Sequence, residues 1–131
     1  MTPRSLEPQI EAVLAETPVD VVAAYLYGSR ARGSAGATSD VDLAVLLARA
    51  PAATLKSPAR DLESQLERAL RLPVEVIVLN GAPADLVHRV LRDGKVLLDR
   101  DRATRIRFEV QARNEYFDLA PLRRLYRRLP A

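Results

Sequence analysis

Two aspartates one residue apart, Asp40 and Asp42, stand at the mouth of an apolar run, Leu43-Ala44-Val45-Leu46-Leu47. Side chains alternate across a strand, so residues two apart share a face. The two carboxylates then point the same way, and unpaired they raise one another's pKa. Either they mark a solvated strand end, or a divalent cation sits between them. Oxygen-only ligands, the absence of cysteine and a single distant histidine favour Mg²⁺ over Zn²⁺. Glu75 is a third acid, and it interrupts the apolar run 74–79. A charge inside a buried strand is costly unless it is paired or metal-bound. A sheet that sets the two strands side by side would gather Asp40, Asp42 and Glu75 as catalytic and metal-binding candidates. The other reading of Glu75 is a solvated strand end or an arginine pair.

Upstream of the aspartates lies GSRARGSAGATS, residues 28–39. Gly28-Ser29 sits where an apolar segment gives way to a turn. Glycine lets a backbone approach a ligand closely. Successive backbone N–H groups at such a turn bind anions. Ser29 adds a hydroxyl, and Arg30 and Arg32 add positive charge, so Gly28, Ser29, Arg30 and Arg32 are the candidate phosphate contacts. Alone, the segment also fits a polar surface loop. Together, a phosphate-cradling turn, three carboxylates and Mg²⁺ are the parts of metal-assisted phosphoryl chemistry. The lysine and spacing of a P-loop, G-x-x-x-x-G-K-[ST], are absent from the sequence.

These residues need elements to hold them. Residues 5–16 read as a helix, with Leu6, Ile10, Val13 and Leu14 at helical spacing and Ser5 as its cap. Residues 21–27, 40–47 and 74–79 read as strands, with Tyr25 and Tyr27 as strand residues on the first. Pro51 opens a loop to residue 55. Ser57-Pro58 starts a helix carrying Leu62, Leu66 and Leu70. Asn80-Gly81 is a turn. Residues 83–92 form a helix with Leu86, Val87, Val90 and Leu91 inward, and Gly94 caps it. His88 on that helix is outside any ligand spacing and reads as a surface or boundary histidine. Residues 95–98 make a short edge strand. Residues 101–129 are helical in two segments, with Asp118 and Pro121 at the break. Ile106, Val110 and Phe117 fall on one face, which the pattern predicts to pack on the chain's own domain with the arginines solvated. The mixture predicts an α+β (α/β-like) class with one small mixed β-sheet.

The length of 131 residues suits one domain. A hydrophobic fraction of 48% and a charged fraction of 28% are ordinary for a soluble globular protein. No cysteine means no disulfide framework and no thiolate metal site. No apolar run approaches the ~18 residues of a membrane span, and no signal-peptide pattern opens the chain. A cytoplasmic protein with no membrane partner is expected. The net charge is only +3, from 18 arginines and two lysines against 17 acids. Eight of the arginines lie between Arg102 and Arg128. Operator DNA fits this charge but has no support from an aromatic-plus-basic stripe.

Gly28-Ser29, ten residues, then Asp40-Val41-Asp42 matches the G-S-x10-D-x-D signature of the nucleotidyltransferase superfamily that includes DNA polymerase β. Ala31, Arg32, Gly33, Ala35 and Ser39 make the stretch similar to the minimal nucleotidyltransferase branch. Residues 74–101, VEVIVLNGAPADLVHRVLRDGKVLLDRD, resemble that branch's second half. Phe108-Glu109 and residues 114–126, NEYFDLAPLRRLY, resemble the C-terminal helix of MntA-type antitoxins, the partners of HEPN-domain ribonuclease toxins in HEPN/MNT (type VII) toxin–antitoxin systems. The resemblance spans about residues 20–128.

The resemblance implies a nucleotidyltransferase fold with helices packed on one side of the sheet. Residues 1–100 would be the minimal nucleotidyltransferase domain and 101–131 a C-terminal helical extension of it. Ser29 and the Gly28 backbone would hold phosphates, and Asp40 and Asp42 would bind Mg²⁺. Glu75, where the family usually has aspartate, would help hold a metal or act as general base. Val78 replaces a second, commonly acidic position. The implied activity is transfer of AMP from ATP to tyrosine hydroxyls of a HEPN ribonuclease toxin, which neutralises it. Two other readings stay open: an antitoxin that masks the toxin by binding, and a nucleotidyltransferase for a small molecule of the aminoglycoside type. Intact Asp40 and Asp42 weigh against a vestigial site, and the short length weighs against a substrate domain.

Overall fold

The computed structural model describes residues 6–28, 40–51 and 57–128. Ser5, Ser29, Arg30, Arg32 and the loop at 52–56 lie outside the described residues. The described chain runs α1 (Leu6–Glu16), β1 (Val21–Tyr27), β2 (Val41–Leu47), α2 (Pro58–Leu70), β3 (Val74–Val78), α3 (Ala84–Asp93), β4 (Lys95–Asp99), α4 (Arg102–Asp118) and α5 (Ala120–Arg128). The four strands lie in the order β3-β2-β1-β4. β1 is antiparallel to both β2 and β4, and β2 is parallel to β3. The expected α+β class with a small mixed sheet is what forms. No described helix is long and apolar enough to cross a membrane.

Local chemistry sets the boundaries. Ser57 Oγ accepts the N–H of Arg60 at 3.4 Å, and Pro58 follows as the first helical residue of α2. Arg71 closes that helix in the left-handed region, φ 57°, with its N–H on Glu67 O. Asp101 caps α4, accepting from Thr104 N at 3.1 Å and Thr104 Oγ1 at 2.7 Å. Leu119 separates α4 from α5, so the break falls where expected, with Pro121 in the first turn of α5. Gly94 ends α3, but not in the left-handed region: its φ is −81°. Glycine is needed there for space instead, because a Cβ would lie 2.4 Å from Val90 O.

β1 is buried along six of its seven residues and β2 along six of seven, so both faces of the central pair need cover. Leu6, Ile10 and Leu14 of α1 and Leu62, Leu66 and Leu70 of α2 pack on Leu43, Val45 and Val76 on one face. Val87 and Val90 of α3 and Ala112 of α4 pack on Tyr25, Ala44 and Leu46 on the other. Helices thus cover both faces, not one side as the sequence suggested. Edge strand β3 is protected by α2, where Glu63 Oε1 accepts the Val76 N–H at 3.1 Å. Asn80 extends the sheet past β3 by bonding both the N–H and the C=O of Leu47 at 2.9 Å.

α4 is held to the sheet by polar groups as much as by packing. The Tyr25 hydroxyl, from β1, donates to Glu109 Oε2 at 3.0 Å. Arg105 bonds the same oxygen and also Asp99 of β4 at 2.8 Å. Burial and the Glu109 charge raise the Tyr25 phenol pKa above its ordinary value. Removing one partner of a shielded network leaves the others unsatisfied. Glu109→Ala is expected to lower unfolding free energy by about 2 kcal/mol in urea denaturation. A change below about 0.5 kcal/mol would mean that α4 is held by packing alone.

Candidate active site

Tyr27, Asp42 and Glu75 form a row across three strands. Tyr27 pairs with Asp42 in the antiparallel β1–β2 ladder, and Asp42 pairs with Glu75 in the parallel β2–β3 ladder. Neighbouring strands lie about 4.8 Å apart, and register partners share a face. That face is the one carrying Tyr25, Ala44 and Leu46, which α3 and α4 cover further along. The row sits at its open end: Glu75 is exposed and Asp42 half-buried. Glu75 therefore bears no full burial cost: it is exposed, one residue into β3. Asp40 stands immediately before β2 and is exposed.

Gly28 ends β1 against this row. Its φ is +75°, a conformation that side-chain-bearing residues rarely adopt. A Cβ on Gly28 would lie 2.4 Å from Asp42 Oδ2. The glycine is therefore required twice, by its backbone angle and by its contact with the carboxylate. Gly28→Ala is expected to cost about 1–2 kcal/mol through the left-handed φ and to displace Asp42. Transfer activity should fall further than that loss of stability explains. Full activity in a destabilised Gly28→Ala protein would mean that the carboxylate position is not critical.

The Tyr27 phenol reports the field at the row. Burial, then the charges of Asp42 and Glu75, push its pKa up to about 12, and Arg89 acts in the opposite direction. The phenol is therefore neutral at ordinary pH. Arg89 is the contributor that the sequence did not single out. On the helical wheel of α3 it lies away from Val87 and Val90, and nothing in the pattern tells which strands that side overlooks. His88, its neighbour, stacks on Tyr116 of α4 with ring centroids 3.7 Å apart and planes 5° from parallel. It joins two helices rather than belonging to the acidic row.

The donors at this end are all oxygen, which suits a hard cation such as Mg²⁺. Asp42, to which Gly28 leaves room, and Glu75, its register partner, fit such an ion from one face. Among the described residues no three His, Asp or Glu side chains converge as a cage. Asp40 joins the end of the sheet from the residue before β2. The separate cavity of about 200 Å³ lined by Leu79, Val87, Phe108 and Ala112 lies further along the covered face, toward the start of α3.

The chain matches the family model for polymerase beta nucleotidyltransferases over residues 8–103, well over half its length. Comparison with curated protein sequences gave no match. Among solved structures, the chain is similar to a toxin–antitoxin with AMP-PNP, at 28% identity and a TM-score of 0.77, covering 92% of this chain and 94% of that one. It is similar to a complex of the tri-AMPylated Shewanella oneidensis HEPN toxin with an MNT antitoxin, at 26% identity and a TM-score of 0.74, covering 95% of each chain. It is also similar to a minimal nucleotidyltransferase, at 33% identity and a TM-score of 0.53, covering 72% of this chain and 95% of that one. With Gly28 packed on Asp42 at the mouth of β2 and a family match that runs through the whole sheet, the chain belongs to the polymerase β nucleotidyltransferase family.

Proposed function

We propose that this protein is an antitoxin that transfers AMP from ATP to tyrosine hydroxyls of a partner HEPN-domain ribonuclease and so neutralises it. The observation that carries the reading is the pairing of Asp42 with Gly28 and Glu75 at an open sheet end. The tyrosine oxygen attacks the α-phosphorus of ATP. The bond from that phosphorus to the bridging oxygen breaks, and pyrophosphate leaves. Glu75, exposed beside Asp42, takes the phenol proton. The Gly28 backbone and Ser29, with Arg30 and Arg32, hold the phosphates. Asp40 and Asp42 would hold Mg²⁺, with Glu75 as a further oxygen donor where it is not the base, and the ion would supply positive charge at the reacting phosphate. The added AMP places a charged, bulky group on the toxin.

The reading also draws on the C-terminal helices. The two toxin–antitoxin structures cover more than nine tenths of this chain and so extend over α4, whereas the family match ends at residue 103. We read residues 101–131 as a C-terminal helical extension of a minimal domain of residues 1–100, and as the part that meets the partner. Ile106, Val110, Phe117, Leu122 and Leu125 are large, apolar and exposed along α4 and α5. The expected packing of this stripe on its own domain does not occur, because Phe108 and Ala112 take the inward side of α4. We assign the exposed stripe to toxin docking in the cytoplasm. The same stripe favours a second reading, in which binding alone masks the toxin.

Incubation with α-labelled ATP, Mg²⁺ and the HEPN partner tests the proposal. Label on partner tyrosines supports transfer. A neutralised, unlabelled partner supports masking.

A further inference from the structure

Among the described residues, Arg89 is a cation whose charge acts on Tyr27 of the acidic row. Val87 and Val90 turn α3 onto the sheet. At about 100° per residue, His88 and Arg89 then fall on opposite flanks of the helix. His88 stacks on Tyr116, so its flank faces α4. α4 lies over β1 and β4, tied there through Tyr25–Glu109 and Asp99–Arg105. In a sheet ordered β3-β2-β1-β4, the flank carrying Arg89 therefore overlooks β2 and β3. The end of α3 also lies at the correct end of the sheet. Gly94 meets Leu26 O of β1, 3.4 Å from where its Cβ would be, and Lys95 pairs with Leu26. Arg89 thus stands one turn back from the strand end that bears Tyr27, Asp42 and Glu75.

Arg89 is exposed, and it takes part in no ion pair among the described residues. Arg92, on the same helix, is instead tied to Asp93 at 2.9 Å. A row of carboxylates repels a nucleoside triphosphate, and the phosphates furthest from a metal-binding floor need a counter-charge on the wall. A guanidinium suits that task because its planar fork matches phosphate oxygens.

We propose that Arg89 is a substrate-binding residue that holds the β- and γ-phosphates of the nucleotide, the part that departs as pyrophosphate. The assignment rests on the nucleotidyl-transfer reading above and adds a residue from outside the G-S-x10-D-x-D stretch. Arg89 draws charge away from the bond between the α- and β-phosphates as it breaks. It makes no contact with AMP, so it favours triphosphate entry without retaining the transferred group.

The test is calorimetric binding of ATP and of AMP, each with Mg²⁺, to the full chain and to Arg89→Ala, Arg89→Lys and Arg92→Ala. Arg89→Ala is expected to weaken ATP about tenfold, the scale of one charge-assisted hydrogen bond, and AMP less than about twofold. Arg89→Lys should recover part of the loss, and Arg92→Ala should bind as the parent does. Unchanged ATP affinity in Arg89→Ala overturns the assignment. So does an equal loss for ATP and AMP, or an equal loss in Arg92→Ala. If the parent chain itself binds no ATP, the nucleotidyl-transfer reading falls together with the assignment.

Discussion

Asp42→Asn should abolish AMP transfer while leaving the protein folded. The substitution keeps the side chain's volume beside Gly28 and removes its charge. Charge stabilisation by a metal at a phosphoryl centre is worth several kcal/mol. A loss of about 4 kcal/mol slows transfer roughly 1,000-fold. The folded state should be little affected, because Asp42 is only half-buried at the open end of the sheet. Rates measured with α-labelled ATP, beside a urea unfolding curve, check both halves. A rate within tenfold of the parent would remove Asp42 from the chemistry. Glu75→Gln is informative beside it. As a proton acceptor Glu75 should matter less at high pH, where the acceptor phenol loses its proton unaided, whereas Asp42 should matter at every pH.

The second large effect belongs to the C-terminal helices. Ile106 is 41% exposed and Val110 is 50% exposed, one helical turn apart on α4. Exposed apolar residues in such a row mark contact surfaces, and a few central anchors dominate binding energy. Ile106→Asp with Val110→Asp should weaken binding to the HEPN partner at least 100-fold, about 3 kcal/mol. Neither side chain is in the domain core, so the unfolding midpoint should stay near that of the parent. Binding within threefold of the parent would place the interface on another surface. The double variant also separates two activities. Transfer that fails at low partner concentration and returns at high concentration reflects lost docking, not lost chemistry.

Much of this was legible in the residues. Ser57-Pro58 announced α2 because a side-chain acceptor and a residue with no N–H are what a helix start needs. The buried strands announced themselves through β-branched and apolar runs. Asp42 and Glu75 could be suspected as neighbours, and the β2–β3 register brings them opposite one another. The stripe on α4 misled for a physical reason. Its more apolar side, Ile106, Val110 and Phe117, points outward, while the inward side is anchored by Ala112, Phe108 and the polar ties of Glu109 and Arg105. Hydrophobic periodicity reads burial, and it does not distinguish a core from a surface kept for a partner. Arg89 was invisible because its role depends on which strands α3 crosses, a property of topology. Gly94 was placed correctly as a helix end, but a close approach to Val90 O explains it better than a left-handed turn.

On the proposed reading, Asp40, Asp42 and Glu75 neutralise the partner by covalent transfer. Mass spectrometry of the HEPN partner, purified after co-expression with the parent chain or with Asp42→Asn, tests it most directly. Adenylylated tyrosine is expected on a partner made with the parent chain, and an unmodified, active ribonuclease from cells making the variant. A partner that is fully neutralised by both chains and carries no adenylyl group in either would contradict it.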